Sequence, residues 1–379
     1  SLDDTGQTGT GCRLFIFNGN LNHQKDIHDL LRRMKEKVNR QDRLCLCSYN
    51  PYMKFIFYLS TKLGLRYGPL PSTFLTKVDL KNFCKLTGWE IIRIRRVGTP
   101  ALYLPFVGKF INKIWQIIPF IREFCHLYLI LLRPIKEQKS QPTLSVIVPA
   151  LNEEGNVPMI FQGFRALSEI PLEVIFVEGN SQDKTFHRIQ QEIDKNPSLN
   201  ARLLKQTGKG KFNAVIEAIE ISQSDLITIL DADLTVPPEN ILLFYQTYKS
   251  GIADFINGHR LLYPMQNGAM QFLNLLGNIF FAKVMSYVLD VSIGDTLCGT
   301  KMFTRLDYQR FKKWNSEKNI RDPFGDFSFL APAGGLGLGI IDIPVRYQSR
   351  RYGKTNIQRF RDGLLLLKMT LVLFVKNKL

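Results

Sequence analysis

The sequence predicts an α/β protein built on a central, mostly parallel sheet, and three observations carry that expectation. From Thr143 onward, short and almost wholly apolar strands alternate with helical stretches. Each strand runs into a polar or charged turn, and a polar segment with two prolines separates this part from the residues before it. Continuous apolar strands between helices mark a parallel sheet buried on both faces. The composition agrees. The chain has 379 residues, 45% of them hydrophobic, with no Gly-X-Y period or heptads, which excludes disordered and fibrous classes and leaves room for two or three globular domains of about 100–200 residues.

Taken in order, the N-terminal part reads as a strand over Arg13–Phe17, a helix over Asp26–Lys37, a strand over Leu44–Ser48, and a helix opening at Thr76 with Asp79 three residues on, a capping box. A last strand, Glu90–Arg96, follows Gly88. The run from Arg133 to Pro142 is polar and carries both prolines, as an interdomain linker does. Beyond it the expected strands are Leu144–Val148, Leu172–Val177, Leu203–Lys205 and Leu226–Leu230. The expected organisation is residues 1–134, a linker at 135–142, a catalytic domain over 143–362 and an amphipathic C-terminal helix over 363–379.

Charge and cysteine content narrow the setting. Fifty Lys and Arg against 33 Asp and Glu leave a net charge of +17, which calls for nucleic acid, anionic lipid or phosphorylated substrates as partners. The six cysteines form no C-x-x-C pair, so neither a zinc site nor a disulfide scaffold is expected, and a reducing, cytoplasmic setting fits. No secretory signal opens the chain, and Ser1 at its start points to a fragment. Two apolar stretches, Ile111–Leu132 and Leu364–Val375, are broken by Pro119, Arg122 and Glu123 and by Lys368. Neither reaches the roughly 18–20 apolar residues of a spanning helix, so both read as amphipathic or buried. The helical-period stripe from Phe272 to Val288 reads as core or as an interfacial helix, and Arg346, Arg350, Arg351, Lys354, Arg359 and Arg361 precede Leu364–Leu367 as a basic patch suited to an anionic leaflet.

In such sheets ligands bind beyond the carboxyl ends of the strands. The four turns there are Pro149–Glu154, Glu178–Thr185, the basic loop Thr207–Lys211 and Asp231-Ala-Asp233. A flexible basic loop ahead of a helix suits a diphosphate. Two carboxylates one residue apart at the end of a buried strand repel each other unless a cation is near; Mg2+ or Mn2+ with oxygen ligands and substrate phosphates would offset that repulsion. The bland alternative for Asp231 and Asp233 is a solvated turn, and four successive strands that each end in a fitting group weigh against it.

From Thr143 to about Asp362 the chain resembles the family 2 glycosyltransferases, in particular the synthases of polyprenyl-phosphate and dolichyl-phosphate mannose or glucose. The matching stretches are Val148–Glu153, Gly179–Thr185, Gly208-Lys-Gly210, Asp231–Glu239, Asn257–Arg260, Gly294–Phe303 and Arg350–Thr355. The resemblance implies a nucleotide-diphospho-sugar transferase fold of the glycosyltransferase A type, an inverting reaction, and Mg2+ or Mn2+ held by Asp231 and Asp233. It also implies that Pro149, Asn152, Glu153, Glu178, Asp183 and Lys209 border the nucleotide sugar, and that Arg260 and Arg350 neutralise phosphates. Glu178-Gly179 stands where the family has paired acids, which leaves guanine or uracil open, and Thr235 stands where some relatives carry Gln. Asp295 is the candidate base, or a brace for the loop before Gly299, and an already anionic phosphate acceptor favours the brace.

Residues from about Cys12 to Arg133 resemble, less specifically, the C-terminal half of class I S-adenosylmethionine-dependent methyltransferases, through Asn20–Asp26, Arg43–Ser48, Phe74–Lys81 and Leu86–Glu90. The glycine-rich loop that would hold the cofactor is missing, since Gly9-Thr-Gly11 precedes the first strand. That resemblance implies a truncated or remnant domain without methyl transfer. Gly334–Gly339 runs into the expected strand Ile340–Val345 and reads as a turn, and the five histidines have no ligand spacing. The expected activity is sugar transfer from a GDP- or UDP-sugar to a lipid phosphate, by a protein peripheral to the cytoplasmic face of an anionic membrane. The alternatives are transfer to a saccharide hydroxyl in surface polysaccharide synthesis and a non-catalytic basic binding or scaffold protein. No nucleic acid partner is expected, because no helix-turn-helix, zinc finger or aromatic RNP pattern accompanies the charge.

Overall fold

The computed structural model describes residues 2–3, 12–98, 115, 117–265, 270–319, 322, 324–353 and 359–378. Gly9–Gly11, Lys354 and Thr355, all singled out above, lie outside the described residues, as does part of the apolar stretch that begins at Ile111. The chain divides into two compact units, residues 1–136 with 378–379, and residues 137–377.

The first unit holds a five-stranded sheet of β1 (Leu2–Asp3), β2 (Leu14–Asn20), β3 (Arg43–Tyr49), β4 (Trp89–Val97) and β5 (Leu127–Pro134) in the order β1-β2-β3-β5-β4. β2 and β3 are parallel, joined through helix α1 (Ile27–Lys37), and the other pairs are antiparallel. Asp26 caps α1, its carboxylate accepting from the Asp29 N–H at 2.8 Å, and Ile27, Leu31 and Met34 bury one stripe of the helix. Two further helices are α2 (Lys54–Lys62) and α3 (Lys77–Thr87). The expected capping box starts α3, and Gly88 at φ 70° ends it, so that Trp89 enters β4 buried, with its indole N–H donating to the Leu31 carbonyl at 2.9 Å. β5 corrects the sequence reading, which expected no strand after Glu90–Arg96 in this part of the chain. Its residues pair with both β3 and β4, and Tyr128, Ile130 and Leu132 face the core. Because Leu127, Leu129 and Leu131 between them are also apolar, the period of two was invisible in the sequence.

The second unit holds seven strands in the order β12-β10-β11-β9-β6-β7-β8. They are β6 (Leu144–Ala150), β7 (Leu172–Glu178), β8 (Asn200–Lys205), β9 (Leu226–Ile229), β10 (Phe255–His259), β11 (Lys301–Thr304) and β12 (Ile340–Pro344). All pairings are parallel except the two made by β11, so β11 alone runs against the others. The fold is the α/β, mostly parallel sheet that the strand pattern predicted. Alternate residues of the central strands feed two cores: Val146, Val148, Val174 and Phe176 on one face, Ile147, Ile175, Val177 and Ile227 on the other.

Helices α4 (Val157–Phe164), α5 (Thr185–Lys195) and α7 (Asn240–Lys249) cover the first face. The second is covered by α6 (Lys211–Ile221), α8 (Phe272–Leu289), α9 (Arg305–Lys318), α10 (Asp326–Gly335) and α11 (Arg359–Lys378). Helix α11 starts at Arg359, four residues before the expected boundary at 363, and buries Leu366, Met369 and Leu373 while Leu364, Leu367 and Leu371 stay exposed. Helix α8 buries one side and exposes another. Phe281, Met285 and Val288 pack into the core, while Phe272, Leu276 and Phe280 face outward. By length and composition α8 is the one helix among the described residues that could cross a membrane, with a third of it buried.

Phe303 sits at the centre of the second core, fully buried, with ring centroids 5.0 Å from Phe329, 5.5 Å from Phe311 and 5.8 Å from Phe255. Phe303→Ala removes a ring from a site with no room to collapse and should lower stability by about 3–5 kcal/mol, read as a lower urea midpoint with unchanged slope.

Candidate active site

The site forms where the sheet changes direction of build. From β6 the chain moves outward through β7 and β8, then returns to place β9 on the other side of β6. In open α/β sheets a crevice opens beyond the carboxyl ends of the strands at such a reversal of strand order, here beyond β6 and β9. The turn after β6 carries Asn152 and Glu153, and the turn after β9 carries Asp231 and Asp233.

Each carboxylate of the D-x-D pair has its own cation. The Lys211 ammonium, at the start of α6, lies 2.5 Å from Asp231 Oδ1, and the Arg350 guanidinium lies 2.6 Å from Asp233 Oδ2. Asp233 Oδ1 also accepts from the Thr235 N–H (3.1 Å) and hydroxyl (2.8 Å), so Thr235 fixes the rotamer of the acid. Burial alone would raise the Asp231 pKa, yet the positive charges of Lys211, Lys301 and Arg260 hold it below the usual carboxylate range. Lys211 answers in kind: burial disfavours its charge, and Asp231 and Asp326 more than offset this. Gly299 makes the close packing feasible, since a Cβ there would lie 2.3 Å from Asp231 Oδ2 and 2.7 Å from Lys211 Nζ.

Glu153 stands on the other side of the crevice. Its carboxylate accepts from Asn156 Nδ2 at 2.6 Å and pairs with Arg350 at 3.3 Å. Burial pushes its pKa up to about 7, against the pull of Arg350 and Asn156 and with help from the negative charges of Asp233 and Asp231. Pro149 ends β6 one residue before its last, Ala150. Asn152 takes the left-handed conformation (φ 57°), which Asn tolerates better than most residues; its N–H donates to Ser181 Oγ at 2.9 Å and its side-chain carbonyl accepts from the Gln182 N–H at 2.8 Å. Asp183 accepts from the Glu154 and Thr185 N–H groups, tying the β6 and β7 turns together. Glu178 is buried and accepts from the Ser181 N–H at 2.5 Å, so its carboxylate holds its own turn. Lys209 is exposed in the loop before α6.

Arg260 and Asp295 form one buried unit. The guanidinium donates through Nε at 2.7 Å and Nη2 at 3.0 Å, the Arg260 N–H donates at 3.2 Å, and Asp295 has no exposed surface. Burial would raise the Asp295 pKa, and Arg260 holds it below the ordinary range instead. Asp295 Oδ1 also accepts from the Leu297 N–H at 2.9 Å, so both of its oxygens are engaged. Arg260 also lies 5.2 Å over the Tyr347 ring.

Sequence reasoning missed how much of the site the segment after β12 supplies. Besides Arg350, Tyr352 donates to Asp183 at 3.4 Å and covers Gly155, where a Cβ would be 2.6 Å from its ring, and the Gln348 N–H donates to the Thr235 carbonyl at 3.0 Å. Residues 347–352 thus lie as a strap over the β6 and β9 turns. Lys211 and Lys301 were also missed. Lys301 is fully buried and donates to Asp326 Oδ1 at 2.5 Å and to the Cys298 carbonyl. The signal for Lys211 was available, as it closes the basic loop Thr207–Lys211; nothing in the spacing tied Lys301 to Asp231. Among the described residues no group of three His, Cys, Asp or Glu side chains forms a complete metal shell. The oxygen donors of Asp231 and Asp233, with Gly299 leaving Asp231 uncapped, fit a hard divalent cation that draws its remaining ligands from phosphates and water.

Residues 145–310 match the family model for glycosyl transferase family 2. This segment is similar to glycosyltransferase family 2 domains. The domain region is 28% identical, over 226 residues, to the low-salt glycan biosynthesis hexosyltransferase Agl6 of Haloferax volcanii, covering 59% of this chain and 51% of that protein. It is 24% identical to the dolichyl-phosphate hexose transferase of the same organism, covering 62% of this chain and 96% of the relative. A dolichyl-phosphate beta-glucosyltransferase of Dictyostelium discoideum is 30% identical over 43% of this chain and 54% of its own. The chain therefore spans about half the length of the first and third of these glycosyltransferases and nearly all of the second. A solved glucosyl-3-phosphoglycerate synthase from Mycobacterium tuberculosis, with Mg2+ and UDP, superposes at a TM-score of 0.47 with 16% identity, over 62% of this chain and 80% of that one.

Two outcomes follow from the domain's buried charges. Asp295→Ala strands the Arg260 guanidinium in a buried site and should cost about 3–5 kcal/mol in urea unfolding. Glu153 has a raised pKa, so the folded state binds its proton more tightly than the unfolded state does. Stability from this group is fully present below the ordinary glutamate value of 4.5 and is lost as pH rises through about 7. Glu153→Gln should therefore gain on the parent as pH rises from 5 to 8.5, by up to roughly 3 kcal/mol, read as a widening difference in melting temperature.

Proposed function

We propose that the chain transfers a sugar from a nucleoside diphosphate sugar to a polyprenyl phosphate, with inversion at the anomeric carbon. The observation that carries this reading is the pair Asp231 and Asp233 at the switch point of the sheet, faced by Lys211, Arg350 and, deeper, Lys301. That alternation of charge suits a diphosphate, and the names of the relatives, dolichyl-phosphate hexose transferase and dolichyl-phosphate beta-glucosyltransferase, supply the acceptor class. In the reaction a phosphate oxygen of the acceptor attacks the anomeric carbon, the bond from that carbon to the diphosphate oxygen breaks, and the nucleoside diphosphate departs with the electron pair.

The main demand on the protein is to stabilise the charge that gathers on the leaving diphosphate. Lys211 and Arg350 are placed for this, and both are released toward phosphate if Asp231 and Asp233 turn to a cation. Mg2+ or Mn2+ bound by those two carboxylates would supply Lewis-acid neutralisation of the diphosphate. Asn152, Glu153 and Asp183 shape the nucleotide side of the crevice through the bonds between the β6 and β7 turns. No base is needed, because a phosphate acceptor is already anionic, and the clamped Asp295 supports that acceptor over a saccharide hydroxyl, which must lose a proton. We place the reaction at the cytoplasmic face of a membrane, where a nucleotide sugar and a lipid phosphate meet. The N-terminal unit we read as a methyltransferase-like remnant without activity: two parallel strands joined through a helix, then an antiparallel pair.

A thermal-shift panel tests the donor site. The melting temperature should rise with one of the GDP- or UDP-sugars in the presence of Mn2+, by the equivalent of about 2.7 kcal/mol at a hundredfold excess over Kd. The rise should vanish in EDTA and in Asp233→Asn, and S-adenosylmethionine should shift nothing. A panel without any nucleotide response overturns the transferase reading.

A further inference from the structure

The N-terminal unit carries an apolar surface that neither its core nor the transferase reading uses. Helix α2 is amphipathic in an inverted sense. It turns only Phe57 into the core, after Met53 in the preceding 3-10 turn, and it presents Phe55 (72% exposed), Ile56, Tyr58 and Leu59 outward. The flanks continue the surface: Tyr52 precedes the helix, and Leu63, Leu65 and Tyr67 follow it, with Tyr67 97% exposed. Soluble surfaces rarely expose so many large apolar side chains in one stretch, and such a patch marks an interaction site.

The charge around the patch says what covers it. From Arg43 to Val78 the sequence holds five basic residues, Arg43, Lys54, Lys62, Arg66 and Lys77, and not one Asp or Glu. Lys54 and Lys62 bracket α2 and are exposed. Arg66 is part of the scaffold, since it stacks 5.6 Å over the Tyr49 ring and donates to the Tyr49 hydroxyl and the Pro69 carbonyl, and so holds the loop of Leu65 and Tyr67 against the helix. Lys77 is engaged by Glu123. Aromatic and aliphatic side chains flanked by lysines, with no acid in the chain between Arg43 and Val78, match the boundary between anionic headgroups and acyl chains: Tyr and Phe take the interface, and lysines extend to phosphate and carboxylate groups. A protein partner of ordinary surface composition would place no such ban on acidic residues.

We propose that α2 and its flanks, residues 52–67, dock the N-terminal unit on an anionic membrane surface with the helix lying in the interface. This anchor is separate from the apolar faces of α8 and α11 in the second unit, and it does not depend on the transferase reading. The test uses the full chain and vesicles of phosphatidylcholine alone or with 30% phosphatidylglycerol (roughly a physiological anionic fraction). The parent should co-sediment with the anionic vesicles, and Phe55→Ser with Tyr58→Ser should lower the partition coefficient at least tenfold. Lys54→Glu with Lys62→Glu should abolish the preference for anionic lipid at the patch. To separate this surface from α8 and α11, Phe55→Trp should show fluorescence quenched by brominated phosphatidylglycerol beyond that of the parent. All variants change exposed side chains, so their melting temperatures and any nucleotide-sugar shift should equal the parent's. Unchanged partition in the double serine variant, an unquenched Trp at position 55, or a parent dimer that the serine variant converts to monomer would overturn the proposal, the last by assigning the patch to a second copy.

Discussion

Two carboxylates, Asp231 and Asp233, stand one residue apart at the end of a buried strand, and much of the second unit is arranged so that this is tolerable. Four basic side chains answer them. Lys211 comes from the start of α6, Lys301 from β11, Arg260 from the end of β10 and Arg350 from the segment after β12. Three of them have a further acid to keep them in register: Lys301 has Asp326, Arg260 has Asp295, Arg350 has Glu153. The Arg260–Asp295 and Lys301–Asp326 pairs are buried and screened little by salt, while Lys211 and Arg350 keep exposed surface. Burial pushes the Glu153 pKa up to about 7 despite Arg350 and Asn156.

The sheet makes this convergence possible. Its central strands are apolar on both faces, and each face has a full helical layer. Polar function is therefore displaced to the strand ends, where backbone groups leave the ladder and loops begin. The order β12-β10-β11-β9-β6-β7-β8 puts the turns after β6 and β9 side by side, with the strap after β12 folded over both through Tyr352, Arg350 and Gln348. The charged groups that line the crevice are held by their neighbours, Lys211 by Asp231 and Arg350 by Asp233 and Glu153.

Apolar surface is the second constraint on the molecule. Each unit keeps large hydrophobic side chains outside its core: α2 in the first, the outer faces of α8 and α11 in the second. In the second unit these helices do two jobs, filling the core with Met285, Phe281 and Leu373 and leaving Phe272, Leu276 and Leu371 outward.

Strands β6 to β9 and β12 of the second unit were legible in the sequence because continuous apolar runs of the right length, closed by polar turns, have few other readings, whereas β10 and the antiparallel β11 were not expected. Asp231, Asp233, Glu153 and the basic loop before α6 were legible for the same reason: each follows a strand directly. Strand β5 was not, because every side chain in it is apolar up to Arg133 and alternation leaves no trace. Glu178 and Asp295 show a different limit. Their type and position drew attention, while their partners, the Ser181 N–H and the Arg260 guanidinium, decide what they do. Arg350 meets Asp233 across 117 residues of chain, and Lys301 meets Asp326 across 25. The sequence by itself determined the elements and the chemistry available at their ends, since both depend on local order; which charges meet depends on strand order and on how loops fold back over the sheet, and only the tertiary structure decides that.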